Sequence, residues 1–242
     1  SWGDWERRAR TLATAFMELG LEPGERVALL SGTRVEWAWL DIAIMMAGGI
    51  SVPVFPTEVA NTCAELLQDS APRFAILEDP LQAAKLFAIR ERLPSLERLI
   101  LLDREAEYPD GKVCALSDLS DDADLNWAMG FDEFRELGEL GLGGSREALD
   151  ARIASHEGSD CMTLHYTPGT EGRPKGVMLT QSNFAATARA LAHVLPVGTE
   201  DVQMLYLPLA QPFARICLAV GMEACFVTVF ARSYLTVIED CV

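Results

Sequence analysis

Histidines and paired cysteines are scarce in this sequence. Its 242 residues include three histidines, which share no spacing typical of metal ligands. Six cysteines are present without a Cys-x-x-Cys pair, and most stand among apolar residues, as buried reduced thiols of cytosolic proteins do. The residues concerned are His156, His165, His193, Cys63, Cys114, Cys161, Cys217, Cys225 and Cys241. We therefore expect no metal-binding residues and a cytoplasmic location.

Positive charge and long hydrophobic runs are also lacking. The sequence has 20 Lys and Arg residues against 36 Asp and Glu residues, and its formal net charge of −16 argues against nucleic-acid binding. The longest apolar stretch, Ile216 to Phe230, is interrupted by Glu223 and is too short to span a bilayer. No signal peptide is visible. We expect no transmembrane segment, while peripheral membrane contact and the oligomeric state stay open.

Two common nucleotide-binding motifs are missing. No Gly-x-Gly-x-x-Gly follows the first predicted strand, which counts against a dinucleotide-dependent dehydrogenase. A Walker A loop needs Gly-Lys-Ser/Thr opening into a helix, whereas Lys175 stands between Pro174 and Gly176 and precedes an apolar run. An unrelated α/β nucleotide-binding protein stays an alternative.

One glycine-rich segment, Tyr166 to Val177, is present between two apolar runs. It contains three glycines, two threonines and one lysine, which are Gly169, Gly172, Gly176, Thr167, Thr170 and Lys175. Glycines let backbone N–H groups turn towards an anion, and a lysine suits phosphate oxygens. The segment therefore predicts a polyphosphate-binding loop between two strands. An ordinary hairpin connection with a surface lysine is the alternative.

Strands and helices alternate over the first hundred residues. Short apolar runs predict strands at Arg26–Leu30, Ile50–Phe55, Phe74–Leu77 and Leu99–Leu102, with helices between them. This alternation predicts an α/β fold with a mostly parallel sheet flanked by helices. Pro53 predicts an edge strand or a strand end.

Two threonines precede predicted helices. Thr33 and Glu36 have the spacing of a capping box, and Thr57 precedes the next helical pattern. Both threonines are therefore predicted to cap helices.

Residues 104–158 lie in an acidic region, since residues 104–160 contain fifteen Asp or Glu residues and five Lys or Arg residues. Two short helices are predicted there, near Phe131–Leu137 and near Ala148–Ile153. Four glycines, namely Gly138, Gly141, Gly143 and Gly144, are predicted to interrupt the region. We interpret it as a variable connection.

The glycine-rich segment resembles the signature loop of the acyl-adenylate-forming (AMP-binding) enzymes, aromatic-Thr-Ser-Gly-Thr/Ser-Thr-Gly-x-Pro-Lys-Gly-Val. Two further segments resemble the long-chain acyl-CoA synthetase branch of that family. Leu19–Ala28 is similar to Leu-Gly-x-x-Pro-Gly-Asp-Arg-Val-Ala, and Leu207–Arg215 to Leu-Pro-Leu-Ala-His-x-Phe-x-Arg. The resemblance runs from Trp2 to Asp240 and is weakest in the acidic region.

The resemblance implies ATP-dependent activation of a long-chain fatty acid to acyl-AMP, followed by transfer to coenzyme A, with Mg²⁺ as cofactor. It implies that the ATP phosphates are held by Thr167, Gly169, Thr170, Glu171, Gly172, Lys175 and Gly176. Gln211 is implied near the nucleotide or acyl pocket. No catalytic residue is assigned with certainty within the chain.

The sequence departs from the family pattern at four positions: Pro168, Glu171, Gln181 and Gln211. A non-catalytic relative that binds a nucleotide or a partner, and an acyl-AMP ligase serving a carrier protein, are therefore alternatives. The resemblance also implies that residues 1–242 are an incomplete large N-terminal domain without the C-terminal lid domain. We divide that domain into residues 1–103, 104–158 and 159–242, and we expect the chain alone to be inactive.

Overall fold

A seven-stranded sheet forms the centre of the protein. The computed structural model describes residues 1–108, 110–119, 127–167, 174–232 and 236–240. Across the sheet the strands run β7 (Ala128–Gly130), β4 (Arg98–Leu101), β3 (Phe74–Leu77), β1 (Arg26–Leu30), β2 (Ile50–Val54), β8 (Cys161–Thr167) and β9 (Lys175–Thr180). Every neighbouring pair is parallel except β8 and β9. The predicted α/β fold with a mostly parallel sheet is confirmed.

Helices cover both faces of this sheet. In chain order the described helices are α1 (Trp2–Glu18), α2 (Val35–Met46), α3 (Ala60–Ser70), α4 (Pro80–Phe87), α5 (Phe131–Ser155), α6 (Gln181–Val194), α7 (Pro212–Ala224) and α8 (Val237–Asp240). Alternate residues of β1 point to opposite faces, as strand geometry requires. Val27 and Leu29 pack with α1, α2 and α5, whereas Ala28 and Leu30 pack with α3 and α4. The result is three layers with two apolar cores.

Two small sheets lie outside the central one. Strands β5 (Glu105–Glu107) and β6 (Val113–Ala115) form an antiparallel hairpin, and β10 (Val202–Leu205) pairs in parallel with β11 (Val227–Phe230). None of the helices in the described parts of the chain combines the length and apolar character that crossing a bilayer requires.

Continuous apolar runs located the buried strands well. The structure has β1 and β3 at the predicted residues. Strand β2 ends one residue earlier than predicted, and β4 begins and ends one residue earlier than predicted. Strand β2 has neighbours on both sides, so Pro53 does not mark an edge. Pro53 is the penultimate residue of β2, which agrees with a strand end.

Both predicted threonine caps are wrong. Helix α2 begins at Val35 after Arg34, and α3 begins at Ala60 after Val59, in each case without a capping side chain. Thr33 instead donates a hydrogen bond to the carbonyl oxygen of Leu207 (2.8 Å) and accepts one from the Leu209 N–H (3.1 Å). The Thr33 hydroxyl is therefore committed to a tertiary contact.

The two short helices predicted in the acidic region are the ends of one helix, α5. The glycines lie inside this helix and do not interrupt it. A Cβ built on Gly141 would lie 2.7 Å from Glu18 Oε1, and one on Gly138 would overlap the backbone of Thr11. Close packing against α1 therefore explains these two glycines, and it brings Phe134 of α5 within 4.8 Å of Phe16, measured between ring centroids.

Candidate nucleotide-binding site

The predicted phosphate loop connects the two antiparallel strands β8 and β9. The last pair of their ladder joins Thr167 to Lys175, whose Cα atoms in such a pair lie about 5 Å apart. Both residues are exposed. Gly169, Thr170, Glu171 and Gly172, together with Pro168, lie outside the described residues. Thr167 and Lys175 thus stand on opposite sides of the point where the loop leaves the sheet.

Gly176 makes room for an aromatic ring beside this point. It pairs with Tyr166 across the ladder, and a Cβ built on it would lie 3.2 Å from Tyr166 Cζ. The Tyr166 hydroxyl donates a 2.6 Å hydrogen bond to Asp69 Oδ2 on α3. Burial, and then this hydrogen bond, raise the pKa of Tyr166 above its ordinary value. The hydrogen bond of Tyr166 therefore connects the carboxyl end of β8 to α3.

A cleft of about 440 Å³ opens where β2 and β8 end. Its walls include Phe55, Glu58, Glu65, His165, Tyr166 and Thr167. Ligands of open parallel sheets bind outside the carboxyl ends of the strands, which is where this cleft lies. Burial, and then the charge of Arg215, lower the pKa of His165 below its ordinary value of 6.5. Both effects favour the neutral form of the imidazole.

Side chains of both signs of charge lie at and near the cleft. Lys175 supplies an exposed ammonium group and Thr167 a hydroxyl donor, both suited to phosphate oxygens. Glu58 and Glu65 would repel a bare polyphosphate. Within the described ranges, no group of three or more His, Cys, Asp or Glu side chains is placed to hold a metal ion.

Gln211 lies on the same edge of the sheet as the loop. It is exposed at the residue preceding α7, and no hydrogen bond from its side chain caps the helix. The segment leading to it, Leu207 to Leu209, is held by Thr33, which follows the carboxyl end of β1. Only β2 separates β1 from β8 in the sheet. The structure thus brings Thr167, Lys175, Gly176 and Gln211 to one edge.

Gln181 lies at the other end of the hairpin. It is the first residue of α6, six residues after Lys175, which along a strand corresponds to about 20 Å. Thr180 and Asn183 form a reciprocal capping box at this helix start, at 3.0 and 3.3 Å. Gln181 also lines a second cavity of about 440 Å³, whose other walls include Met45, Met162, Phe184 and Met222. Gln181 therefore lies far from Lys175 and outside the candidate site.

A buried ion pair that sequence reasoning missed lies behind the hairpin. Arg215 of α7 binds both carboxylate oxygens of Asp41 on α2 at 2.8 Å, and their side chains are 3% and 6% exposed. Arg215 also donates to Thr163 Oγ1 on β8 (2.9 Å) and to Ser51 Oγ on β2 (3.3 Å). The sequence did contain a sign of a buried charge, because Asp41 is the one charged residue of the apolar run Trp37–Met46.

The fold and the loop-bearing hairpin define an α/β protein with a candidate phosphate site at the carboxyl edge of its sheet. The family profile described as AMP-binding enzyme matches residues 1–241. The chain therefore belongs to the AMP-binding enzyme family.

Curated relatives carry the names of fatty-acid ligases. The long-chain-fatty-acid–CoA ligase ACSBG1 of Rattus norvegicus is 30% identical over 227 residues, which are 90% of this chain and 29% of the relative. The long-chain-fatty-acid–CoA ligase FadD15 of Mycobacterium bovis is 31% identical over 218 residues, covering 89% of this chain and 32% of the relative. The chain thus spans about a third of the length of the curated relatives it matches.

Solved structures share the fold. The inhibitor-bound N-terminal domain of FACL13 from Mycobacterium tuberculosis superposes with a TM-score of 0.72 at 22% identity, over 99% of this chain and 54% of that one. ATP-bound MatB from Rhodopseudomonas palustris gives a TM-score of 0.67 at 21% identity, over 97% of this chain and 40% of that one. At these identities the structures support the architecture alone.

Proposed function

We propose that this chain forms part of the large domain of a long-chain fatty-acid–CoA ligase and holds the phosphates of ATP. The observation that carries the proposal is the hairpin of β8 and β9. It presents Thr167 and Lys175, which flank the glycine-rich residues of the segment Tyr166 to Val177, at the carboxyl edge of the sheet in a chain of the AMP-binding enzyme family. The names of the relatives supply the substrate class, a long-chain fatty acid.

In the proposed reaction a carboxylate oxygen attacks the α-phosphorus of ATP. The bond to the bridging oxygen breaks, pyrophosphate leaves, and an acyl-adenylate is formed. Coenzyme A then attacks the acyl carbonyl through its sulfur, AMP leaves, and the thiol proton passes to solvent. Negative charge grows on the departing pyrophosphate, so fixed donors there stabilise the transition state most. Lys175 and the Thr167 hydroxyl are the described side chains placed for this role.

The proposal limits what the 242 residues do by themselves. It assigns to them the large-domain portions 1–103, 104–158 and 159–242, and it assigns lid closure to a C-terminal domain outside them. The five described cysteines are free thiols, which suits the proposed cytoplasmic location. Peripheral membrane contact and the oligomeric state are not part of the proposal.

Fatty-acid-dependent exchange of pyrophosphate into ATP tests the proposal. The assay uses the product of the complete reading frame, with magnesium, palmitate and labelled pyrophosphate. Exchange that requires palmitate is the expected result. If MgATP binds without exchange, adenylation is excluded and a nucleotide-binding, non-catalytic relative is the better description. If MgATP does not bind, the phosphate site itself is wrong.

The non-catalytic alternative is favoured by Pro168, which stands where the family has serine. Proline has neither a side-chain hydroxyl nor a backbone N–H, so the loop has two donors fewer. One lost donor of this kind costs about 3 kcal/mol of transition-state stabilisation. Replacing Pro168 with serine should therefore raise the exchange rate about a hundredfold if the loop is a weakened active loop. An unchanged rate would show that the proline is not what limits adenylation.

A further inference from the structure

Strand β2 of the parallel sheet and strand β8 of the hairpin lie side by side but form few ladder pairs. The ladder between β2 and β8 has a single register pair, Ser51 with Thr163, whereas β1 and β2 share five pairs. Two side-chain bonds add to it: Thr163 Oγ1 donates to the Ser51 carbonyl oxygen (2.9 Å), and Ser51 Oγ to that of Met162 (3.4 Å). Few backbone bonds therefore hold the strand that leads to the phosphate loop.

Arg215 contacts both of these strands. Its guanidinium donates to Thr163 on β8 and Ser51 on β2 while it binds Asp41 on α2. It also lies 5.1 Å from the ring centroid of Phe184 on α6, the helix that follows β9. Arginine suits such a place because its planar group offers several donors in fixed directions. One side chain thus contacts the elements on either side of the hairpin.

Arg215 also couples the hairpin to the segment that contains Gln211. It lies one turn into α7, and its backbone N–H donates to the Gln211 carbonyl oxygen at 3.5 Å. The described side chains that contact the guanidinium are Asp41, Ser51, Thr163 and the rings of Trp37 and Phe184. None of these belongs to the cleft beside the loop. The arginine therefore acts on the site through other residues and through its charge, which lowers the pKa of His165 in the cleft.

We propose that Arg215 is a positioning residue that sets where the β8–β9 hairpin, and with it Lys175, stands relative to the start of α7. Asp41 holds the guanidinium in place, and Thr163 and Ser51 transmit its position to the strands. Thr163 is four residues before Thr167, so a shift at the arginine moves the base of the loop. This inference rests on the proposed function only where nucleotide binding is the readout.

A paired substitution separates this role from simple stability. Removing one partner of a buried ion pair leaves the other charge unpaired, whereas replacing both by apolar residues is often neutral for stability. The test variant is therefore Asp41→Leu with Arg215→Met. The matched control is Asp150→Leu with Arg10→Met, which removes a 2.6 Å ion pair between α5 and α1 that does not touch the hairpin. Both variants lose one carboxylate and one guanidinium.

The first readout is amide hydrogen exchange without nucleotide. The test variant should keep its unfolding midpoint within about 4 °C of the parent, while the amides of β8 and β9 exchange about tenfold faster and those of β1 and β3 do not change. The control should leave β8 and β9 unchanged. Parent-like exchange in β8 and β9 of a folded test variant would overturn the proposal.

The second readout is the Kd for MgATP of the same proteins, which should rise about tenfold in the test variant and stay constant in the control. If the parent does not bind MgATP, the proposed function fails, and the exchange data still decide the role of Arg215. Should the double variant not fold, Arg215→Lys takes its place, because lysine keeps the charge beside Asp41 without the planar fork. Faster exchange in β8 and β9 of that variant supports the proposal, and unchanged exchange overturns it.

Discussion

Gly138 of α5 packs so closely on Thr11 of α1 that a Cβ built on the glycine would overlap the threonine carbonyl oxygen and lie 2.9 Å from its carbonyl carbon. Backbone cannot move aside as the end of a flexible side chain can. Gly143, on the same helix, has no atom within 4 Å of its built Cβ. Close packing therefore requires glycine at position 138 but not at position 143 of the same helix.

Alanine should have opposite effects at these two positions. Gly138→Ala forces α5 away from α1 and should lower the free energy of unfolding by about 1–3 kcal/mol. Gly143→Ala meets no neighbour and should raise it by up to about 1 kcal/mol, because alanine favours helix more than glycine does. Urea unfolding followed by circular dichroism measures both. A Gly138→Ala variant as stable as the parent would contradict the close packing.

Lys175→Ala tests the phosphate role of the lysine in the product of the complete reading frame. Adenylation, measured by pyrophosphate exchange, should fall about tenfold or more because a fixed positive charge beside the phosphates is lost. Fatty-acid binding should change little, since the lysine is not assigned to the acyl group. The control is Lys112→Ala, which removes an exposed lysine whose described partner is Asp110. Equal exchange rates in Lys175→Ala and the parent would remove this role.

Thr33→Val tests the contact that replaced the predicted helix cap. The substitution leaves the Leu207 carbonyl oxygen and the Leu209 N–H without their partner, so the free energy of unfolding should fall by about 1–3 kcal/mol. Thr33→Ser keeps the hydroxyl and should recover most of the loss. Thr57→Val, at the other threonine wrongly predicted as a cap, should change stability by less than about 0.5 kcal/mol because Thr57 is exposed.

The lowered pKa of His165 predicts a pH dependence of stability. Below its ordinary pKa of 6.5 the unfolded chain binds a proton at this residue more readily than the folded chain does. The unfolding free energy that depends on His165 is therefore fully present above that pH and is lost as the pH falls through the lower folded value. Denaturant unfolding of the parent and of His165→Asn, from about pH 7.5 to about pH 5.5, measures this difference. The parent should lose more stability than the variant over this range, and equal losses would contradict the assigned direction.

Sequence patterns correctly predicted the structural features that depend on residues adjacent in the chain. Runs such as Arg26–Leu30 and Phe74–Leu77 located buried strands because both faces of a parallel strand are apolar. The apolar runs on either side of the glycine-rich segment likewise predicted β8 and β9. Gly138 was wrongly predicted to interrupt the region because glycine is typical of a helix break. The glycine is required here by close packing against α1, more than a hundred residues away in the chain. Likewise, Thr33 and Glu36 have the local pattern of a helix cap, but the Thr33 hydroxyl forms its hydrogen bonds with the backbone of Leu207 and Leu209.

The position of the candidate site on a hairpin was also predictable. The order of residues from Tyr166 to Val177 indicated the loop and its lysine. The pairing of Arg215 with Asp41 joins residues 174 positions apart, and no local pattern specifies such a partner. The position of Gln181, at the far end of the hairpin, followed only once the strand register was known.

The close packing of α5 against α1 also has a consequence for folding during synthesis. A ribosome adding roughly 5–20 residues per second reaches Gly138 roughly 6–25 s after Thr11. Until then Phe16 can contact Phe74 but not Phe134, whose ring lies 4.8 Å from that of Phe16 in the finished protein. During synthesis the first helix therefore presents an uncovered aromatic surface, which a chaperone could bind and which a slow translation step before residue 131 would leave open for longer.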